Sequence, residues 1–354
     1  MEELLEKLKR DPPEFAPEDT LALAGELISG NASSEQIVSA LLGWEALQES
    51  PQHIAAVAGA LRAAATPCLL EKRDRPDVIC DIVGTGGDGQ DTFNVSTAAS
   101  IVAAGAGLCV AKHGNRASSS KCGSADVLEQ LGCKLDSVTP DALTEIFCHK
   151  EFENSRYAFL FAQVYHPAMK HVAKERKSLG KKSIFNHVGP LTNPSRPTRM
   201  VVGVYSEHLG ECMAKALLES GVESGIVVCG DQGLDEISPI GVTHVWKFNR
   251  KSDILRTTVS PEKDFGLKEH TLESVVGGDP EYNAAILKRL LDGKLPEQDP
   301  VLDFVLANAA ALIYVSGKAE SFQQGVQLAR KSIDSGSARG VFQRFRDYTR
   351  RGEN

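Results

Sequence analysis

A short apolar segment that leads directly into a cluster of glycines constrains the fold of this chain most strongly. Residues 78–83 read Val-Ile-Cys-Asp-Ile-Val, and residues 84–89, which we call the glycine loop, read Gly-Thr-Gly-Gly-Asp-Gly. A helical pattern over 96–106 and a second apolar segment over 108–111 follow. This order of strand, loop, helix and strand predicts a sheet whose strands are mainly parallel.

Later apolar runs extend the predicted sheet. Three further strands are predicted, over residues 157–161, 199–204 and 224–229, with helices between them. Over residues 247–273 apolar and polar residues alternate less regularly, which predicts a β-hairpin or a loop. The sheet is therefore expected to occupy the middle of the chain.

Helices are predicted at both ends. Over the first 65 or so residues, apolar side chains recur at helical spacing, and Ser33 or Ser34 can cap one of these helices. Near the C-terminus, helices are predicted over 283–291, 301–316 and 321–335, and the middle one is apolar enough to be buried. Residues 349–351 read as a frayed, solvated end.

The fold class is therefore α/β, with a small N-terminal α-helical domain and a larger α/β domain around a central, mainly parallel sheet. We assign residues 1–72 to the helical domain. Residues 166–193 contain a helical pattern separate from the sheet strands, and we expect them to pack on the helical domain. Residues 73–165 and 194–354 make up the α/β domain.

Composition narrows the class of protein. The chain has 354 residues, of which 42% are hydrophobic and 24% charged, so it can build a packed core. A net charge of −8 argues against bulk binding to nucleic acid. No apolar run is long enough to cross a bilayer, and the N-terminus resembles neither a secretory nor a transit peptide. We therefore expect a cytoplasmic protein without membrane contact, whose eight cysteines, none in a Cys-x-x-Cys pair, are reduced.

The glycine loop allows several interpretations. Its Gly-x-Gly-x-x-Gly pattern matches a dinucleotide-binding loop, but the next strand ends in Lys112, where such a domain needs an acid. A P-loop would need a Lys-Ser/Thr pair after the glycines, which is missing. A turn without a ligand and an anion cradle built of backbone N–H groups remain. Four glycines in six positions favour the cradle.

Two polar segments strengthen the prediction of an anion site. Asn94-Val95-Ser96-Thr97 begins a helix, so hydroxyl groups and the positive end of the helix dipole lie close to the glycine loop. Residues 112–124, which we call the polar loop, follow the next strand and are rich in Lys, Arg, Asn and Ser. Because both loops leave the carboxyl ends of parallel strands, we expect them to meet at one ligand-binding edge. A solvated turn is the alternative for the polar loop alone.

These residues, together with later blocks, resemble the anthranilate phosphoribosyltransferase family. The matching blocks are Gly84–Asp88, Asn94–Thr97, Lys112–Arg116, Gly123–Glu129, Phe161–Gln163, Tyr165–Lys170, Phe185–Pro194 and Leu234–Gly241. Their order and spacing agree from the N-terminal helices to about residue 340. The sequence departs from the pattern of this family at His187-Val188, directly before Gly189.

The resemblance implies a fold and a reaction. The fold is a helical domain joined by hinges to an α/β domain that binds the phosphoribosyl group, with the active site between them and a homodimer formed through the helical domain. The implied reaction transfers the phosphoribosyl group from phosphoribosyl pyrophosphate to anthranilate, with Mg²⁺ as cofactor.

The resemblance also implies the site residues. Those that match donor-binding positions are Gly84, Gly87, Asp88, Thr92, Asn94, Val95, Ser96, Thr97, Lys112, His113, Gly114, Asn115, Arg116, Ala117, Ser118, Ser119, Ser120 and Ser124. Those that match anthranilate-binding positions are Gly84, Asn115 and Arg176. Those that match metal ligands are Ser96, Asp235 and Glu236. Which loop takes which phosphate stays open.

Elementary chemistry agrees with these implied roles. Mg²⁺ is commonly held by one or two carboxylates together with substrate phosphates. A guanidinium suits the carboxylate of anthranilate. The aromatic amine is neutral near pH 7 and needs no strong base, so we assign no acid–base residue and expect His113 and His166 to be structural or to line the substrate. Two other functions stay open: a nucleoside phosphorylase of the same architecture and a non-catalytic phosphosugar-binding protein.

Overall fold

The computed structural model describes residues 1–10, 12–68, 75–117, 120–181 and 183–351. Within them the chain forms one seven-stranded sheet and fourteen α-helices. The strands are β1 (Cys80–Gly84), β2 (Val110–Gly114), β3 (Tyr157–Phe161), β4 (Arg199–Gly203), β5 (Ser224–Gly230), β6 (Thr243–Asn249) and β7 (Ser252–Val259).

Helices precede the sheet, connect its strands and follow it. Those before β1 are α1 (Glu2–Arg10), α2 (Pro17–Ile28), α3 (Ser34–Gly43) and α4 (Pro51–Ala63). Those among the strands are α5 (Val95–Gly105), α6 (Ser124–Gln130), α7 (Pro140–Cys148), α8 (Ala162–Tyr165), α9 (Lys170–Leu179) and α10 (Leu209–Glu219). Those after β7 are α11 (Pro280–Leu291), α12 (Pro300–Val315), α13 (Phe322–Asp334) and α14 (Ser337–Thr349).

Local sequence signals explain where several helices begin. Ser33 caps α3: its hydroxyl accepts a hydrogen bond from the backbone N–H of Gln36, whose side chain accepts one from the N–H of Ser33. Asp299 and Ser321 cap α12 and α13, because their side chains accept hydrogen bonds from backbone N–H groups in the first turn of each helix. The prediction of a serine cap before α3 is therefore confirmed.

The strand order confirms the predicted fold class. The sheet runs β3-β2-β1-β4-β5-β6-β7, and β1 to β5 are parallel. The chain builds outward from β1 to β3 and then returns to place β4 beside β1. Ligands of open parallel sheets bind at the carboxyl ends of the strands where the order reverses in this way, which here is the junction of β1 and β4.

Two predictions near the C-terminus need correction. The predicted hairpin begins earlier, at β6, and pairs antiparallel with β5. The sequence after Ser335 forms α14, which was not predicted, and its end is not frayed: Thr349 is buried and accepts a hydrogen bond from the N–H of Lys134. Arg351 also forms ion pairs with Glu145 and Glu151.

The two faces of the sheet are covered differently. On one face α5 and α12 pack on the strands, with α13 and α14 outside them. On the other face α10 packs on β5 and β6, and α4 packs on α10. The N-terminal helices therefore share a continuous hydrophobic core with this second face. Among the described residues, no helix is both long and apolar enough to span a bilayer.

Helix α9 lies against the N-terminal helices, although it follows β3 in the chain. It packs on α2 and α3, and the hydroxyl of Ser34 donates a hydrogen bond of 2.7 Å to Glu175 on α9. Gly30 approaches so closely that a Cβ there would lie 2.7 Å from the ring of His171. This packing determines where Arg176 is presented.

Candidate active site

The acidic pair Asp235–Glu236 lies directly over the junction of β1 and β4. It belongs to the segment of residues 230–243, which we call the acidic loop and which connects β5 to β6. Gly84 and Gly203 are neighbours across the two strands. A Cβ on Gly203 would lie 1.5 Å from the backbone oxygen of Asp235, and one on Gly84 would lie 2.3 Å from its Oδ2. Only glycine at both positions lets the acidic loop reach this edge.

A substitution at Gly203 tests this close approach. We expect Gly203→Ala to displace the acidic loop and to abolish most activity, because the clash is with backbone. Activity and thermal unfolding should be measured beside Gly59→Ala on α4, where a new Cβ meets only Leu21 at 3.5 Å. The control should keep full activity and gain up to about 1 kcal/mol of stability, the ordinary benefit of alanine in a helix. Wild-type activity in Gly203→Ala would contradict the geometry.

Three carboxyl groups crowd this junction. Asp235 and Glu236 are each 8% exposed, and the carboxyl of Asp88 from the glycine loop faces Asp235. Burial first, and then Asp88, raise the pKa of Asp235; burial and Asp235 raise the pKa of Glu236 well above its usual value. The N–H of Gly86 donates a hydrogen bond of 2.6 Å to Asp235. The site therefore holds more negative charge than its own residues neutralise.

Lys112 lies beneath the carboxyl groups and does not face solvent. Its ammonium group is buried and donates hydrogen bonds of 2.7 Å to the backbone oxygen of Ile82 and 3.4 Å to the hydroxyl of Ser96. Burial lowers the pKa of Lys112, whereas Asp81 and Glu236 raise it. In this arrangement Lys112 supports Ser96 and offsets part of the acidic charge.

The donor atoms at the junction fit Mg²⁺. The hydroxyl of Ser96 hydrogen-bonds to Glu236, whose carboxylate interacts with that of its neighbour Asp235. Hard oxygen ligands and uncompensated negative charge suit this ion. Within the described ranges, no three His, Cys, Asp or Glu side chains form a closed metal cluster. An open set of this kind matches an ion that keeps water and substrate phosphate among its ligands.

The glycine loop adopts a conformation that needs its glycines. Gly86, Gly87 and Gly89 have φ values of 73°, 82° and 72°, in the left-handed region. The strand segment after the loop is held in place, because Thr92 bridges to Val276 and the N–H of Phe93 donates to Val275. The loop thus turns its backbone over the sheet edge where the predicted donor residues Gly84, Gly87, Asp88 and Thr92 lie.

The start of α5 joins the two predicted loops. The side chain of Asn94 donates a hydrogen bond to the backbone oxygen of Cys122 and accepts one from Asn283. The side chains of Val95 and Thr97 are buried, so these two residues can offer a ligand only backbone N–H groups. Asn94 therefore acts as a brace between the glycine loop and the polar loop.

The polar loop is held by Asp126, whose carboxylate accepts hydrogen bonds from the N–H groups of Ala117 and Gly123. Arg116 pairs with Glu129 at 2.6 Å and stacks over Phe161. The remaining predicted donor residues differ in exposure. Asn115 and Ser120 are exposed, Gly114 and Ser124 are half-buried, and Ser118 and Ser119 lie outside the described residues.

Two histidines lie side by side behind the polar loop. The rings of His113 and His166 are buried with centroids 5.2 Å apart, and His166 bonds to the backbone oxygen of Thr192. Burial, with His166 second, lowers the pKa of His113 to about 3. His113 is therefore neutral near pH 7.

Arg176 is a cation on α9 with no carboxylate partner among the described residues. Its guanidinium lies 5.2 Å from the ring centre of Phe185, and burial lowers its pKa without any opposing acidic neighbour. An arginine in this state retains donors for an anionic ligand. This distinguishes Arg176 from Arg116, whose guanidinium already forms an ion pair with Glu129.

A buried asparagine that belongs to none of the matching sequence blocks helps to position the site. It was not identified from the sequence. Asn308 on α12 is fully buried, accepts a hydrogen bond of 3.0 Å from the N–H of Ile237 and donates one of 3.2 Å to its carbonyl. It therefore holds the backbone next to Glu236. The only sequence signal was an asparagine within an otherwise apolar helix.

Removing Asn308 tests this role. We expect Asn308→Ala to raise the Mg²⁺ concentration needed for half-maximal activity roughly 10- to 100-fold, as for other residues that orient metal ligands. Stability should fall by about 1–3 kcal/mol for each buried group left unsatisfied. Ser332→Ala, which removes a buried hydroxyl bonded to Val102 on the same face of the sheet, should leave the Mg²⁺ dependence unchanged. Equal Mg²⁺ dependence in both variants would rule out the assigned role.

Comparison with known proteins defines the class first. The model of the family described as "Glycosyl transferase family, a/b domain" matches residues 76–339. That range includes β1 to β7, the glycine loop, the polar loop and the acidic loop. The fold and the site are therefore those of a glycosyltransferase.

Individual relatives define the family more closely. An anthranilate phosphoribosyltransferase of Schizosaccharomyces pombe is 45% identical over 328 residues, which cover 92% of this chain and 90% of the relative. The crystal structure of anthranilate phosphoribosyltransferase from Thermus thermophilus is 39% identical with a TM-score of 0.87, covering 98% of this chain and 99% of that one. The Saccharomyces cerevisiae enzyme in complex with PRPP and Mg is 35% identical with a TM-score of 0.88, covering 98% and 97%. This chain belongs to the anthranilate phosphoribosyltransferase family.

Proposed function

We propose that this enzyme transfers the 5-phosphoribosyl group of phosphoribosyl pyrophosphate to the amine of anthranilate, in tryptophan biosynthesis. A C–N bond replaces the C1–O bond of the donor, and pyrophosphate and a proton are released. The observation that carries the proposal is the acidic pair over the junction of β1 and β4, between two loops suited to phosphates. The names of the relatives agree with this reaction.

Donor binding is assigned to the glycine loop, the start of α5 and the polar loop. Backbone N–H groups and the positive end of the α5 dipole suit phosphate oxygens. Positioning and charge stabilisation should supply most of the rate, because pyrophosphate leaves without covalent help from the protein. Arg116 and Lys112 act here as supports, since both have partners within the chain.

Mg²⁺ would be held by Asp235, Glu236 and Ser96 together with the donor. When bound, it would neutralise negative charge on the pyrophosphate as it leaves. The raised pKa values of both carboxyl groups support this assignment, because burial and mutual repulsion make the ionised pair costly unless a cation lies beside it. A relative is known in complex with PRPP and Mg.

Anthranilate is assigned to Arg176, Gly84 and Asn115. The guanidinium would bind the carboxylate and thereby direct the neutral amine toward the sugar. Support comes from the lack of any described carboxylate partner for Arg176 and from its packing on Phe185. No proton transfer is assigned to a histidine.

We divide the chain into a helical domain, residues 1–72 with 166–193, and an α/β domain, residues 73–165 with 194–354. The packing of α9 on α2 and α3 supports this division. It attaches Arg176 to the helical part and the acidic pair to the α/β part. Closure of one part on the other would then bring the acceptor to the donor.

We also infer a homodimer formed through the helical domain. Leu21 on α2 and Leu42 on α3 are each 45% exposed, which is unusual for leucines and suits an interface. We expect the Leu21→Glu, Leu42→Glu double variant to sediment as a monomer while wild type sediments as a dimer. Leu255→Glu on β7, which makes the same change at another exposed leucine, should stay dimeric. A dimeric double variant would place the interface elsewhere.

The cytoplasm is the proposed location. No disulfide joins any of the eight cysteines, all of which lie in the described part of the chain, and burial raises the pKa of several of their thiols, as expected for a protein that stays reduced.

One assay tests the proposed function. Anthranilate fluorescence should fall when phosphoribosyl pyrophosphate and Mg²⁺ are added, and chelation of Mg²⁺ should stop the decrease. Phosphate-dependent cleavage of uridine or thymidine would instead identify a nucleoside phosphorylase. Calorimetric binding of the donor by folded protein without turnover of either substrate would identify a non-catalytic phosphosugar-binding protein.

A further inference from the structure

A cavity of about 440 Å³ lies at the opposite edge of the sheet from the acidic pair. Its walls include Asp77, Thr198 and Val222, which precede β1, β4 and β5 at their amino ends. The carboxyl ends of the same strands carry the proposed active site. The cavity is therefore separate from the site described above.

Three arginines line this cavity, and we call it the arginine cavity. They are Arg62 at the end of α4, Arg75 before β1, and Arg196 in the turn before β4. Arg62 donates a hydrogen bond of 2.5 Å to the backbone oxygen of Leu191, and Arg75 donates to that of Arg196. These neutral acceptors orient the guanidinium groups without cancelling their charge.

Acidic groups do not compensate for the three cations. Glu223 lines the cavity, but it forms an ion pair of 2.6 Å with Arg199. Within the described ranges, Arg62, Arg75 and Arg196 form no ion pair with a carboxylate. Burial, followed by the positive charge of Arg196, lowers the pKa of both Arg62 and Arg75, and Glu223 opposes only part of this shift at Arg75. Asp77 at the exposed rim is the remaining acid.

The rest of the lining suits a small organic anion. Ser220 lies in the wall and its buried hydroxyl has no hydrogen-bond partner in the described part of the chain. Leu191, Met200 and Val222 provide apolar surface beside the arginines. The volume falls in the range of small-molecule sites. Guanidinium groups bind phosphate in paired hydrogen bonds, and three of them favour a dianion over a single carboxylate.

We propose that the arginine cavity is a second ligand site that binds the phosphate group of a small organic phosphate. The ligand would contact α4 through Arg62 and the segment leading into β4 through Arg196. Because these walls come from the helical part and from its connection to the sheet, the shape of the cavity depends on how the two parts are arranged. A bound phosphate would therefore favour one arrangement over others.

Calorimetric titration with inorganic phosphate tests the proposal, with ribose 5-phosphate as a second probe. Titrations should be run with and without saturating phosphoribosyl pyrophosphate and Mg²⁺, which occupy the proposed active site. We expect wild type to retain one phosphate site in both conditions. Arg196→Gln, at an exposed side chain, should weaken that site at least about tenfold. Tighter binding of ribose 5-phosphate than of inorganic phosphate would identify an ester as the ligand.

A matched control removes a positive charge beside the cavity, at a residue whose own side chain is not part of the wall. Arg250 donates a hydrogen bond of 2.6 Å to the backbone oxygen of Gly221 and does not line the cavity. Arg250→Gln should bind phosphate like wild type. The proposal is overturned if Arg196→Gln and Arg250→Gln bind phosphate equally. This outcome does not depend on whether anthranilate is the acceptor.

Discussion

Replacing Asp235 by Asn and Glu236 by Gln together should lower kcat/KM by roughly a thousandfold. It should also raise the Tm measured without Mg²⁺. The amides keep the shape of the carboxylates and, at Asp235, an oxygen for the N–H of Gly86. They remove the charge that would hold the metal. The same change relieves the folded protein of two buried carboxylates whose pKa values are raised by burial.

The raised pKa values also determine how this stability difference depends on pH. The folded protein binds protons at both carboxyl groups more tightly than the unfolded chain, where the usual values are 3.8 and 4.5. Wild type therefore loses stability relative to the double variant as pH rises from these values toward the raised ones. The difference is greatest above the raised values, and Mg²⁺ should reduce it there.

A neighbouring acid provides the control for this experiment. Asp231→Asn changes the same acidic loop, but Asp231 pairs with His244 at 3.0 Å and has an exposed side chain. Its kcat/KM and its Tm without Mg²⁺ should stay close to wild type. Wild-type activity in the double variant would remove Asp235 and Glu236 as metal ligands. A lower Tm in EDTA would show that the pair stabilises the fold.

Arg176→Gln should raise the KM for anthranilate roughly 10- to 100-fold, the usual cost of losing a charged hydrogen bond. The KM for phosphoribosyl pyrophosphate should change little, because Arg176 lies on α9 and not on the glycine loop or the polar loop, to which we assign the donor. Arg176→Lys should recover only part of the affinity, since an ammonium cannot pair with both carboxylate oxygens in a fixed plane.

Steady-state kinetics with each substrate varied in turn measures the change in the KM for anthranilate separately from the change in the KM for phosphoribosyl pyrophosphate. Lys177→Gln is the matched control, because it removes a positive charge from the adjacent, exposed position of α9. It should leave both KM values unchanged. A larger rise in the donor KM than in the anthranilate KM would assign Arg176 to the donor.

The sequence predicted the parts of the fold that depend on local patterns. The parallel strands, the apolar helix α12 and the cap of α3 follow from hydrophobic period and side-chain chemistry, and the structure confirms them. Helix α14 was missed, although Val341, Phe342 and Phe345 have helical spacing and are buried. The start of the hairpin was misplaced because β6 is stabilised by pairing with β5. The local alternation of apolar and polar residues carries no information about that pairing.

The site was predictable where glycines and charges stand in recognisable order. The approach of Asp88 to Asp235 could not be predicted, because these residues are far apart in sequence and meet only when β1 and β4 pair. The burial of Lys112 and the pairing of Arg116 with Glu129 were also hidden, because exposure depends on tertiary contacts. Asn308 and Gly203 act through backbone contacts, which no motif encodes.

The attachment of α9 to the N-terminal helices has a consequence for how such an enzyme can change over time. Arg176, assigned to the carboxylate of the acceptor, stands on α9, which is held by the hydrogen bond from Ser34 and by the burial of its own Val172, whereas the groups assigned to the donor stand at the sheet edge. Mutations on α9 are therefore expected to alter which aromatic amine is accepted, while the residues assigned to the sugar phosphate stay unchanged. A catalyst organised in this manner offers a natural starting point for engineering new acceptors onto an unchanged donor.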